Sequence, residues 1–132
     1  MSQVEIEIPS RSVYVGVVRL ALASLARSAG MGEEAVDDLR IAVGEACANA
    51  VIANEEASPE SPVSVNWSHE GDQVVIEVGD RGRGFDAPNS GRDEDFLARM
   101  NLSMALLESL VDSCEVDQRP DGGMCARLVM NL

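Results

Sequence analysis

Two short groups of residues in this chain have the types and spacing to do chemistry. The first is Glu45-Ala46-Cys47-Ala48-Asn49. A carboxylate and a carboxamide four residues apart share one face of a helix. The amide oxygen is a hard donor suited to Mg²⁺, and the carboxylate can hold a water or take a proton from a hydroxyl. The same pair also suits the exposed face of an ordinary helix, and spacing alone favours that plainer reading. The second group is Asp80-Arg81-Gly82-Arg83-Gly84-Phe85. Two glycines one residue apart let the backbone bend and approach a ligand closely, while Asp80 can accept a hydrogen bond from an amino group such as that of adenine. Taken alone, this group reads better as a glycine turn leaving a strand.

The surrounding periodicities say which elements carry these groups. Val4, Ile6 and Ile8 alternate with Glu5 and Glu7, a half-buried strand that Pro9 ends. Ser10 and Ser12 are candidate caps for a helix over about 13–28, closed by Gly30. Gly32 opens a second helix, with Glu33 and Glu34 in its first turn, running to about Ala53. Its stripe of Val36, Leu39, Val43, Cys47 and Ala50 predicts the core-facing side, opposite Glu45 and Asn49. Ile41 and Ile52 lie nearer Glu45, so that helix is apolar on more than one side.

Residues 54–62 hold Pro59 and Pro62 and read as a loop. Val63, Val65, Trp67 and then Val74, Ile76, Val78 alternate on either side of Glu70-Gly71-Asp72, a hairpin that places Asp80 at a strand end. Residues 79–92 hold four glycines and Pro88 and read as irregular. Helical spacing resumes at Leu102, Leu106, Leu107, Leu110 and Val111, and two strands follow over 114–118 and 124–131. Tight turns between strands imply mainly antiparallel pairing. The expected fold is α+β: a two-layer sandwich with one mixed, mainly antiparallel sheet covered on one face by about three helices, as a single domain over residues 1–132.

Composition removes several classes. The formal net charge is −13, which argues against direct nucleic-acid binding because phosphate contacts need a basic patch. It is compatible with a basic protein partner, and equally with acids that only keep the chain soluble. No apolar run is long enough to cross a membrane, and the N-terminus lacks the pattern of a signal peptide, so a cytoplasmic location is expected. The three cysteines, Cys47, Cys114 and Cys125, form no CxxC pair and read as reduced thiols. His69 is the single histidine and sits in a turn, which excludes a multi-histidine metal site.

The order of the two groups, ExxxN on a helix followed by a hairpin ending in DxGxG, resembles the GHKL ATPases. The segment from Asp38 to Ala50, together with the chain length and the leading strand and helix, is similar to the anti-sigma-factor serine/threonine kinases of that superfamily. This resemblance implies a histidine-kinase-like fold that binds ATP and Mg²⁺. It implies Glu45 as catalytic base, Asn49 as Mg²⁺ ligand, Asp80 as the reader of adenine, and Gly82 and Gly84 as shapers of the pocket. It implies Arg19 as a partner contact. The partners would be an RNA polymerase sigma factor and an anti-anti-sigma (STAS-type) protein phosphorylated on serine, and the family is often homodimeric through the first strand.

Three positions depart from the family pattern. A second glycine box, whose backbone amides cradle phosphates at a helix start, is matched by Asn101-Leu102-Ser103-Met104, without glycine; the resemblance implies Asn101, Leu102 and Ser103 as nucleotide-binding positions. Asn101 would cap the helix there; alternatively the helix begins earlier, since 93–100 carries no breaker and its acids suit a helix start. A glycine-threonine pair is replaced by Gly123-Met124-Cys125, and a histidine-glycine pair by Ala53-Asn54. These departures touch phosphate positioning more than fold. They leave two outcomes: a working kinase, or a degenerate pseudo-kinase that keeps partner binding. A detached histidine-kinase catalytic domain is disfavoured, because the single histidine is in a turn.

Overall fold

The computed structural model describes residues 2–82, 94–120 and 122–132. Five strands form one sheet: β1 (Ser2–Ile8), β2 (Val63–Glu70), β3 (Gln73–Gly79), β4 (Ser113–Gln118) and β5 (Met124–Asn131). Their spatial order is β1-β2-β3-β5-β4. Every pairing is antiparallel, so no parallel pair occurs among the described strands where a mixed sheet was expected. Among the described residues three helices accompany the sheet: α1 (Val15–Ser28), α2 (Glu33–Ala57) and α3 (Glu94–Leu110), with a short 3₁₀ turn over Ser12–Tyr14 before α1.

Register puts the apolar alternation to use. Val4 lies opposite Trp67, which lies opposite Ile76; Ile6 lies opposite Val65, which lies opposite Val78. These side chains join Leu128 and Met130 of β5 under the helices in one core. The other face of the sheet carries a polar row across all five strands: Glu5, Asn66, Glu77, Arg127 and Glu115.

Val18, Leu22 and Ala26 of α1 pack against Leu39, Val43 and Cys47 of α2, all essentially fully buried. Gly30, at φ 95°, ends α1: the Met31 amide reaches back to the Ala26 carbonyl at 3.0 Å, the bond that closes a helix through a left-handed residue. The expected serine caps are not formed. No side chain caps α1 or the 3₁₀ turn, and Ser10 donates instead to the Ser61 carbonyl.

Two helices run further than their periodicity suggested. α2 continues past Ala53 to Ala57, because Asn54 is fully buried and its amide is satisfied by tertiary partners rather than by ending the helix. α3 begins at Glu94, with Glu94 and Asp95 in its first turn, a favourable placement of acids at a helix start. Asn101 is therefore inside the helix and is not its cap.

Candidate active site

The site lies between α2, α3 and the end of β3. Glu45 and Asn49 project from α2 as half-buried side chains. Between them stands Ser103 of α3, only 4% exposed. Ser103 Oγ donates to Glu45 Oε2 at 2.7 Å and accepts from Asn49 Nδ2 at 2.6 Å. The carboxylate and the carboxamide are thus joined through one hydroxyl supplied by a third element. Cys47, between them in sequence, points the opposite way into the core, and burial pushes its thiol up to about 12. It stays protonated and is neither a metal ligand nor a nucleophile.

Asp80 is buried at the end of β3 and makes the glycine bend. Its Oδ1 accepts the amides of Gly82 at 2.8 Å and Met124 at 3.1 Å, and its own amide donates to the Met124 carbonyl at 2.9 Å. The bend leaves no space for side chains. A Cβ on Gly82 would stand 2.6 Å from Ala53 Cβ, and one on Gly123 would stand 2.0 Å from the Asp80 carbonyl oxygen. Asn54 locks the bend to α2: its Oδ1 accepts the Arg81 amide at 2.6 Å, and its Nδ2 donates to Ser10 Oγ and to the carbonyls of Ser61 and Pro62. Arg119 reaches the Asp80 carbonyl from the far end of β4 at 3.5 Å.

Asn49, Asp80 and Ser103 line one cavity of about 80 Å³, whose apolar walls include Val78, Met104 and Leu107. Glu45 is not on its wall and meets it through Ser103. A carboxylate beside apolar walls suits a base with an exocyclic amine. Among the described residues, no group of three or more acidic, histidine or cysteine side chains is placed to hold a metal alone. A cation here would take Asn49 as a protein ligand and draw others from phosphates, which is how Mg²⁺ commonly binds. The donor set therefore fits Mg²⁺ with a nucleotide and not a free-standing metal centre.

The structure thus brings Glu45, Asn49, Asp80, Gly82 and Ser103 together. Gly84 lies outside the described residues. Asn101 and Leu102 are exposed on α3 and do not line the cavity. Arg19 is exposed on α1, with its side-chain stem packed over Gly44, one residue before Glu45. Sequence reasoning missed three contributors. Asn54 reads in the sequence as a loop residue and a departure from the family pattern, and Arg99 and Met100 of α3 line the cavity. The signal for these last two was the unbroken, acid-led run before Asn101, which extends the helix over the site.

The histidine kinase-like ATPase domain family matches residues 8–130. The serine-protein kinase RsbW of Bacillus licheniformis is 33% identical over 98% of this chain and 85% of its own length. The chain belongs to this family, in its anti-sigma kinase branch. RsbW of Bacillus subtilis is 31% identical over 86% of this chain and 76% of its own length. A crystal structure of the RsbU and RsbW domains of a Mycobacterium tuberculosis protein superposes with a TM-score of 0.76 at 22% identity, covering all of this chain and 33% of that one. That likeness shows the fold: the α+β sandwich found here is RsbW-like. Membership in a kinase-like ATPase family carries ATP and a divalent cation as the expected ligands. Among the described residues, no helix is long and apolar enough to cross a membrane.

Proposed function

We propose that the chain is an anti-sigma-factor serine kinase that binds Mg-ATP between α2 and the end of β3. It would sequester an RNA polymerase sigma factor in the cytoplasm and phosphorylate a serine on an anti-anti-sigma, STAS-type protein. One observation carries this reading: Asn49 and Asp80 line a single cavity, with Glu45 one hydroxyl away. Bound Mg-ATP supplies the transferable phosphoryl group and the cation that balances its charge. Asp80 accepts from the base amine, Asn49 offers its amide oxygen to the cation, and Gly82 and Gly84 let the backbone close around the ligand. Glu45 receives the proton of the acceptor serine. Arg19, exposed beside the Glu45 segment, contacts a partner. Among the described strands β1 stands at the end of the sheet order, a position that suits a homodimer through that strand. The acidic charge suits a basic sigma factor and not direct nucleic-acid binding.

A cavity of about 80 Å³ is small beside the roughly 300 Å³ or more of ligand pockets. Loading therefore requires part of α3 to move. The segment available is 94–102: its described side chains are exposed except Met100, which is half-buried, whereas Ser103, Leu107 and Val111 are buried. The same closure favours a second reading, a pseudo-kinase module that binds partners without turnover. Calorimetric titration with Mg-ATP, followed by phosphoryl transfer to a partner serine, separates the two. Binding with transfer supports the kinase and binding without transfer supports the pseudo-kinase. Absence of binding, with no nucleotide-dependent rise in melting temperature, overturns the nucleotide site.

A further inference from the structure

Ser103 stands in the relation to Glu45 that an acceptor serine must take. Its Oγ donates to the carboxylate at 2.7 Å, within the reach a general base needs to remove a hydroxyl proton. It lies 2.6 Å from Asn49 Nδ2, and it lines the same cavity as Asp80. We infer that Ser103 is a phosphoryl acceptor in cis, so that this chain modifies its own α3. The inference rests on the proposed ATP site and on Glu45 as its base.

The anchoring of α3 makes the geometry workable. Among the described side chains of that helix Ser103 is the first that is buried, and Leu107 at 2% and Val111 at 9% exposure anchor its C-terminal end. Unwinding 94–102 removes Arg99 and Met100 from the cavity wall and leaves Ser103 in place, now at the start of the shortened helix.

In the reaction, Glu45 takes the Ser103 Oγ proton, and Oγ forms a bond to the γ-phosphorus of the nucleoside triphosphate. The bond from that phosphorus to the β-γ bridging oxygen breaks, and its electron pair leaves on the diphosphate. The proton on Glu45 passes to water. The product places a charge of about −1.5 to −2 beside the Glu45 carboxylate. Like-charge repulsion breaks the Ser103 bridge, so the modified helix no longer closes over the site.

The test uses the full chain with Mg-ATP, read by intact mass, peptide mapping and melting temperature. The expected result is one phosphoryl group on Ser103, gained at a rate independent of protein concentration. Ser103→Ala and Glu45→Gln gain none; Gln keeps an oxygen to accept the Ser103 hydroxyl, so Glu45→Gln retains the wild-type melting temperature. A readout without nucleotide accompanies it: hydrogen exchange across 94–103 rises in Ser103→Ala. A protein stabilised by Mg-ATP whose Ser103 stays unmodified overturns this inference and leaves the nucleotide site standing. Absence of both stabilisation and modification overturns both. A rate that scales with protein concentration, phosphate confined to other residues, or unchanged exchange in Ser103→Ala also overturns it.

Discussion

Asn54 on α2 accepts the Arg81 amide at 2.6 Å and so ties the end of that helix to the bend after β3. With its amide also bonded to Ser10, Ser61 and Pro62, this fully buried side chain joins three separate segments. Asn54→Ala leaves the Arg81 amide and two carbonyls without this partner. Loss of such buried hydrogen bonds costs about 3 kcal/mol in total, which lowers the melting temperature by on the order of 10 °C for a domain of this size. Thermal melts followed by circular dichroism check it. A change within experimental scatter would show that water replaces the side chain.

Asp80 has a structural and a proposed recognition role, and substitution separates them. Its Oδ1 accepts the amides of Gly82 and Met124. Asp80→Asn keeps a carbonyl oxygen for those donors and stays within about 1 kcal/mol of wild type, yet puts an amide where a carboxylate would meet the adenine amine. Asp80→Ala loses both. The expected pattern is a stable Asn variant with nucleotide binding weakened at least tenfold, and an Ala variant that is destabilised as well. Wild-type affinity in Asp80→Asn would remove this carboxylate from base recognition.

Gly123 combines a left-handed φ of 86° with a tight contact, since a Cβ would stand 2.0 Å from the Asp80 carbonyl. Gly122 also has a positive φ, 95°, but has open space around its Cβ position. Gly122→Ala therefore carries only backbone strain, about 1 kcal/mol. Gly123→Ala must in addition push the strand-end bend away, and it loses several kcal/mol. Urea unfolding of the two variants side by side checks the ranking; equal losses would mean that the bend relaxes freely.

Much of this was legible in the chain itself. Alternation in Val4–Ile8, Val63–Trp67 and Val74–Val78 marked three strands, and their register follows from it. Neither the ExxxN nor the DxGxG group decided the site alone; the expectation that Glu45, Asn49 and Asp80 meet came from the family resemblance that their order carries. What stayed hidden was decided by tertiary partners. Asn54 looked like a loop residue, because polar amides favour helix ends, but burial with matched partners overrode that preference. Ser103 looked like the remnant of a glycine box. Its place became visible only with the packing of α3 on α2, where its hydroxyl meets Glu45 and Asn49. Ser10 looked like a cap and became a tie to Ser61, since the chain after Pro9 enters a 3₁₀ turn before α1.

Cys47 makes stability depend on pH on the alkaline side. Burial holds its thiol up to about 12, from an ordinary value of 9.0. As pH rises above about 9, the unfolded chain gives up this proton while the folded chain keeps it, so the unfolded state binds fewer protons and is favoured. The contribution of the protonated thiol is therefore complete below pH 9 and declines toward pH 12, at up to roughly 1 kcal/mol per pH unit. Cys47→Ala removes this slope, at the cost of a small cavity worth about 1 kcal/mol at neutral pH. Urea midpoints between pH 8 and about 10.5 should fall more steeply for wild type than for the variant, and the two curves should meet and then cross. Titrations common to both proteins cancel in that difference. Parallel curves would mean that the thiolate reaches solvent by local opening rather than by global unfolding.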